Sequence, residues 1–143
     1  MKLYGFITAN SAILYLHQRD TYFGYDFDLN SIVNNQFFRL IRIAGKYPMR
    51  NFSSVVLREY RERVCTDWFN KYGDNVVGFE TLVQPPLTGN VYIRDSWDYL
   101  GMTKGYTCKR ISALDSRPTD SWSGSRIWNT TDLVPKLIFC KKV

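Results

Sequence analysis

The chain has 143 residues, of which 45% are hydrophobic and 16% aromatic. That length supports one domain with a hydrophobic core, and the composition excludes a disordered chain. The sequence has no run of 18 apolar residues and no secretion signal at its start, so we expect a cytoplasmic protein without a membrane partner. Nineteen basic against 13 acidic residues give a net charge of +6, which favours nucleic acid or a phosphate-bearing cofactor as partner, or serves only solubility.

The three cysteines, Cys65, Cys108 and Cys140, are widely spaced, and His17 is the only histidine. An odd number of cysteines at these spacings fits neither a disulfide framework nor a zinc site. We therefore predict reduced, isolated thiols and no metal site. No phosphate-binding loop, dinucleotide-binding, zinc-deaminase or nucleophile-elbow motif occurs, and His17 is interpreted as a packing residue rather than a catalytic one.

The amino-terminal third contains apolar segments that alternate with polar ones. Segments rich in β-branched and aromatic side chains are typical of strands, and segments with glycine, proline or asparagine are typical of turns. The pattern predicts strands at residues 2–8, 12–17 and 36–44, and loops at residues 18–30 and 45–49.

One long helix is predicted between Asn51, a favourable amino-terminal cap, and Gly73, a favourable stop. Apolar residues recur there at steps of three and four, and charged residues occupy the opposite face. The apolar positions are Leu57, Tyr60, Val64, Trp68 and Tyr72. The spacing predicts an amphipathic helix over residues 51–72 that packs on a sheet.

The remaining segments predict strands at 76–83, 97–103, 126–128 and 136–143, a short helix at 89–96 and a polar stretch at 104–125. The resulting order is β-β-β-α-β-α-β-β-β. Alternation of strand and helix predicts a single α/β domain over residues 1–143, with parallel pairing in the middle of a mixed sheet and antiparallel pairing at its edges.

The order strand, loop, long helix, strand, short helix, strand resembles the core of the GNAT acyltransferases. The resemblance implies a mixed twisted sheet with one long and one short helix, here truncated at the amino-terminal side. It also implies that acetyl-coenzyme A, or another acyl or carbamoyl donor, binds at the amino end of the long helix, where free N–H groups and the helix dipole favour an anion. The residues concerned are Lys46, Arg50, Asn51, Ser53 and Ser54. This loop has only Gly45 where the family has a pair of glycines, and the two serines could instead fill the first helical turn.

The stretches VGFETLVQP (77–85), TGNVY (88–92) and WDYLGMTKG (97–105) resemble two related groups. One group is the phage Mom proteins, which convert adenine in DNA to its methylcarbamoyl form, and the other is the DruA component of the Druantia antiphage systems. The segments NNQFF (34–38) and NFSSVVL (51–57) extend the resemblance to about residues 30–106. It implies either an enzyme that modifies the exocyclic N6 amine of adenine or a non-catalytic DNA-binding module. An ordinary GNAT enzyme acting on a small amine or a protein is the third possibility.

Two residues are candidates for the chemistry. Glu80 interrupts an apolar strand near its carboxyl end, where α/β sheets bind ligands, and partial burial would suit it to general-base work. The alternative is a solvated carboxylate at the edge of the sheet or a structural ion pair. Tyr92 matches the GNAT tyrosine that donates a proton to the leaving group, or is a core tyrosine. We expect the reaction where two central strands separate, between Asn35 and Glu80, with Tyr92 facing it.

Candidate contacts to DNA combine amide and basic side chains with aromatic rings. Asparagine can pair with the edge of adenine, arginine and lysine bind phosphate, and rings stack on an extruded base. We expect double-stranded DNA with one base extruded from the stack. The predicted contacts are Arg19, Asn34, Asn35, Lys104, Lys109, Arg110, Arg117 and Trp122. A local ion pair of Arg19 with Asp20 and an Asx turn at Asn34–Asn35 are the alternatives.

Overall fold

A computed structural model describes residues 1–110 and 126–143 of the chain. Five strands form the central sheet, and strands are numbered along the chain. In spatial order they are β2 (Asn10–Ser11), β3 (Ile32–Asn34), β5 (Gly78–Val83), β9 (Leu137–Lys142) and β6 (Asp98–Met102). Only β3 and β5 pair in parallel, and the other neighbours are antiparallel. The structure confirms the predicted α/β class and the mixed sheet.

Two smaller sheets flank the central one. Strand β1 (Gly5–Ile7) pairs with β4 (Phe38–Leu40), and β7 (Thr107–Arg110) pairs with β8 (Arg126–Asn129), both antiparallel. The described residues also form three α-helices and one 3-10 turn. These are α1 (His17–Phe23), α2 (Phe52–Tyr72), α3 (Asn90–Arg94) and the 3-10 turn Leu29–Ser31. None of the helices in the described part of the chain combines the length and apolarity needed to cross a membrane.

Helix α2 confirms the predicted long helix. Leu57, Tyr60 and Trp68 are buried against the sheet, as their spacing predicted. Gly73 ends the helix in the left-handed conformation that glycine adopts readily, and its N–H donates to the Phe69 carbonyl. Asn51 precedes the first turn, but its side chain makes no capping hydrogen bond.

The strand predicted at residues 12–17 is wrong, and the loop predicted at 18–30 is confirmed only for residues 24–28. Helix α1 begins at His17, and Leu16 and Arg19 are both buried beneath the sheet. Their separation of three residues matches one face of a helical turn rather than the alternation of a strand. Strand β3 was not predicted, because all three of its residues are buried and therefore show no polar–apolar alternation.

The predicted strand 36–44 is also shorter than expected, and β7 was missed. Only Phe38–Leu40 forms a strand in that segment, because the chain first leaves β3 and then pairs with β1. Strand β7 lies within the polar stretch 104–125, which carries no hydrophobic alternation. In the carboxyl-terminal half, strands β5, β6, β8 and β9 and helix α3 appear where they were predicted, within a few residues.

The central sheet is covered on both faces. Phe79 and Phe139 pack beneath α2 and α3 on one face, while Ile138 and Cys140 pack beneath α1 on the other. Side chains of adjacent strand residues point to opposite faces, so β5 and β9 each contribute to both cores.

The start of α3 lies unusually close to the sheet. Gly89 has a φ angle of 70°, and a Cβ atom at this position would lie 2.4 Å from the ring of Phe139. Only glycine satisfies both the left-handed backbone and the close approach. This contact sets the depth at which Tyr92, one turn further along, enters the core.

We predict that Gly89→Ala lowers the free energy of unfolding by about 2–4 kcal/mol, since strain from a positive φ adds to overpacking against Phe139. Gly73→Ala is the matched control, because Gly73 has a φ of 79° and a Cβ added there would meet no atom within 4 Å. It should lose only about 1 kcal/mol. Urea unfolding measures both values, and equal losses would contradict the role assigned to the contact with Phe139.

Candidate functional site

Strands β3 and β5 separate after a short parallel pairing. The last paired residues are Asn34 and Glu80. The Asn35 N–H then donates to the Glu80 carbonyl at 2.8 Å, and Thr81 Oγ1 donates to the Asn35 carbonyl at 2.7 Å. Beyond this point the segment that follows β3 turns away to form β4 and pairs with β1, whereas β5 continues to Val83 beside β9. A gap therefore opens on one side of β5.

A cleft of about 1090 Å³ occupies this gap. Its walls come from the loop after β2, from β4, from the end of β5 and from the start of α3. Both Thr81 and Leu82 line it, although consecutive strand residues face opposite sides of the sheet. Residues from both faces of β5 therefore contribute to the lining of the cleft.

The charged side chains that line the cleft in the described part of the chain are all positive. Among the described lining residues, Arg39 and Lys136 are cations, and none is aspartate, glutamate or histidine. The rest of the lining is apolar or carries amides and hydroxyls. Phe37 at the wall is half exposed. Such a cleft attracts anions and offers an exposed ring for stacking.

Tyr92 lines the cleft from α3, and its side chain is also buried in the core. The sequence predicted that it faces the place where the two central strands separate. Its hydroxyl donates to Asn35 Oδ1 at 2.5 Å, and its ring packs against those of Phe38 and Phe139. Burial raises the pKa of the Tyr92 hydroxyl above its ordinary value. At neutral pH the hydroxyl is therefore protonated and can only give up its proton to a stronger base.

Asn35 holds the chain at the point of separation. Its Nδ2 donates to the carbonyls of Thr8 and Phe37, both at 3.0 Å, and its Oδ1 accepts from Tyr92. The residue is buried. The prediction that Asn35 contacts DNA is therefore corrected, because its amide is fully engaged inside the protein.

Glu80 is completely buried and does not line the cleft. Its Oε2 accepts from Arg19 Nη1 at 2.5 Å, and its Oε1 accepts from the Ile13 N–H at 2.6 Å and from Asn34 Nδ2 at 2.9 Å. Both oxygens are occupied by internal donors. The expectation that Glu80 acts as a general base between the separating strands is therefore corrected. Glu80 instead forms a buried ion pair with Arg19, which was one of the alternatives.

Arg19 is the partner of Glu80 and is equally enclosed, with 1% of its surface exposed. Its Nε donates to Asp20 at 2.7 Å, its Nη1 also donates to the Ile13 carbonyl at 2.8 Å, and its guanidinium lies over the ring of Phe27. The prediction that Arg19 contacts DNA is corrected, because the side chain is buried beneath the sheet.

The loop predicted to bind a cofactor is not part of the cleft lining. This applies to each of its predicted residues, Lys46, Arg50, Asn51, Ser53 and Ser54. The Ser54 and Val55 N–H groups both donate to the Asn51 carbonyl, so they complete the first turn of α2. The structure therefore does not bring this loop and Tyr92 to one site.

The predicted basic segment is described only in part. Lys104 is exposed, and Lys109 and Arg110 belong to β7. Arg117 and Trp122 lie outside the described residues. Sequence reasoning missed the two cleft cations, Arg39 and Lys136, because only the separation of β4 from β5 brings them near one cavity. In the described ranges no three metal-binding side chains cluster.

We predict that Arg19→Met lowers the free energy of unfolding by about 3–5 kcal/mol, because it leaves the Glu80 carboxylate buried without its charged partner. Arg63→Met is the matched control, since Arg63 pairs with Asp67 on the exposed face of α2. Its expected effect is about 0.5 kcal/mol or less. Denaturant unfolding compares the two variants, and a small loss for Arg19→Met would show that the pair does not hold α1 to the sheet.

The chain was compared with protein-family models, with curated proteins and with solved structures, and none of the three comparisons found a match. The resemblance to the Mom, DruA and GNAT proteins therefore rests on the sequence segments given above. The function has to be argued from the cleft, its charge and the groups that line it.

Proposed function

We propose that this protein is a GNAT-like transferase that modifies the exocyclic N6 amine of adenine in DNA. The observation that carries the proposal is the cleft between β3 and β5, which is lined by two cations and, among the described residues, by no carboxylate or histidine. Two further observations support it, the parallel pair of central strands and the size of the cleft.

The charge of the cleft bears on the kind of amine that can react there. Alkyl amines such as lysine are cationic at neutral pH, so Arg39 and Lys136 would repel them, and a base would have to remove a proton before attack. The amino group of adenine is neutral and needs no such step. The cleft chemistry therefore favours a nucleobase amine over the small amine or protein substrates of an ordinary GNAT enzyme.

The fold supports a transferase of this kind. The GNAT resemblance implies two central parallel strands that diverge to admit the donor, and β3 and β5 are a parallel pair that separates after Asn34. Pockets for one small ligand usually measure about 300–1,000 Å³. The cleft, at about 1090 Å³, lies at the upper end of this range and can hold a nucleobase or an extended donor group.

The residues present fit an anionic donor of extended shape. Arg39 and Lys136 would hold its negative groups. The Glu80 carbonyl faces β3, so by strand alternation the peptide groups of Leu82 also face the gap, where the described residues provide no pairing strand. A bound acyl or carbamoyl donor would supply the activated carbonyl carbon.

In this proposal Tyr92 is the proton donor and the target adenine leaves the DNA stack to reach the cleft. The Tyr92 hydroxyl, protonated at neutral pH, can donate its proton to the leaving group as the bond from that group to the carbonyl carbon of the donor breaks. The tyrosinate then takes up the proton that the N6 amine loses as the new C–N bond forms. In duplex DNA the N6 amine is paired, so the base must leave the stack, and the half-exposed ring of Phe37 offers it a stacking surface.

A non-catalytic DNA-binding module is the second candidate. One observation favours it: the Tyr92 hydroxyl already has a partner in Asn35, and every buried polar side-chain atom in the described residues is satisfied. In that case the cleft would receive an extruded base and do no chemistry. DNA binding by a soluble protein that leaves the DNA of its host cell unmodified would favour this second function.

The test is nucleoside mass spectrometry of DNA from cells that express the protein. We expect a deoxyadenosine derivative of increased mass, and we expect Tyr92→Phe to lower its amount by about 10²–10⁴-fold, the usual contribution of a positioned acid. Tyr72→Phe is the matched control, because Tyr72 is the last residue of α2, is half exposed there although its spacing predicted a core position, and does not line the cleft, so this variant should modify DNA like the parent.

Unmodified DNA beside abundant soluble protein would refute the enzymatic function. Full modification by Tyr92→Phe would instead refute the role of this hydroxyl and leave the reaction in place. Thermal unfolding of both variants checks that each is folded.

A further inference from the structure

Asn34 carries one polar atom that the internal network leaves open. Its side chain is 5% exposed, and its Nδ2 donates to Glu80 Oε1 at 2.9 Å. A carboxylate only accepts hydrogen bonds, so the amide must turn its NH₂ group toward Glu80 and its carbonyl oxygen away from it. The orientation of the Asn34 amide is thereby fixed.

The free oxygen is exposed to the cleft. No donor among the described residues pairs with Asn34 Oδ1, yet this atom is not one of the buried polar atoms that lack a partner. It therefore has access to solvent, and the residue lines the cleft. Among the described lining residues, Asn34 thus offers a hydrogen-bond acceptor on a side chain that is otherwise enclosed.

The support of this acceptor is rigid. Arg19 is held by Asp20 and the Ile13 carbonyl, Glu80 is held by Arg19 and the Ile13 N–H, and Asn34 is held by Glu80. Every one of these hydrogen bonds involves the charged group of Arg19 or of Glu80, and such charge-assisted hydrogen bonds are stronger than those between neutral groups. A group oriented in this way binds a ligand atom without losing side-chain freedom.

We propose that Asn34 Oδ1 is the recognition group for the substrate amine, accepting a hydrogen bond from the exocyclic amino group of a nucleobase in the cleft. The inference rests on the proposed function and names the atom that selects its substrate. An acceptor at this place favours a base with an amino group over one with a carbonyl or a hydrogen there. Glu80 and Arg19 are positioning residues that act through Asn34.

The test measures binding rather than modification. Two DNA duplexes are compared that differ in one base opposite an abasic site, which eases its extrusion: adenine in one, and purine, which lacks the 6-amino group, in the other. One hydrogen bond contributes about 3–10-fold in affinity, so the parent protein should bind the purine duplex more weakly by that factor in fluorescence anisotropy titrations.

The variant Asn34→Ala should bind the two duplexes equally. The matched control is Asn90→Ala, because Asn90 is an exposed amide on the rim of the same cleft, and this variant should keep the preference of the parent. If Asn34→Ala does not fold, as judged by circular dichroism, Asn34→Leu, which has the same branched arrangement of side-chain heavy atoms as asparagine but no polar atom, takes its place.

Equal binding of the two duplexes by the parent overturns the inference, and so does a preference for adenine that survives in the folded Asn34 variant. A parent that prefers adenine and loses the preference in the Asn34 variant supports it. Because the ratio of affinities requires no reaction, the inference can hold where DNA stays unmodified and the enzymatic proposal fails, and the reverse outcome is equally distinguishable.

Discussion

The buried ion pair between Arg19 and Glu80 is the interaction on which the rest of the structure depends. Two charges are removed from water beneath the sheet, and the hydrogen bonds from Ile13 and Asn34 offset much of that cost. The pair joins α1 to β5 and fixes the loop after β2, and it also sets the end of β3. The cleft begins where this network ends.

A second buried network lies on the opposite face of the sheet. Asn35 ties the departing chain to Thr8 and Phe37, and Tyr92 binds Asn35 from α3. Asn34 and Asn35 are neighbours in the sequence and face opposite sides of the sheet. Each network therefore stabilises the end of β3 from one face, at the point where β3 and β5 separate. Satisfied polar groups of this kind make a gap between strands possible without exposing unpaired core groups.

The cleft joins features that support transfer to a nucleobase. In the described part of the chain the charged residues of its lining are cations, and the lining combines a protonated tyrosine with an oriented amide. Glu80 is a structural residue, because both of its carboxylate oxygens accept hydrogen bonds from inside the protein and hold the donors in place. The unusually close contact of Gly89 with Phe139 places Tyr92 at the cleft.

Local patterns in the sequence are enough to predict several elements. The spacing of Leu57, Tyr60 and Trp68 with Gly73 predicted α2, and the apolar residues at 76–83 predicted β5. The contact between Arg19 and Glu80, which are 61 residues apart in the chain, and the approach of Arg39 and Lys136 to one cleft could be seen only in the folded protein. Burial and ion pairing depend on long-range packing, which local patterns do not encode. A charged or amide side chain looks the same in the sequence whether it meets DNA, solvent or a buried partner.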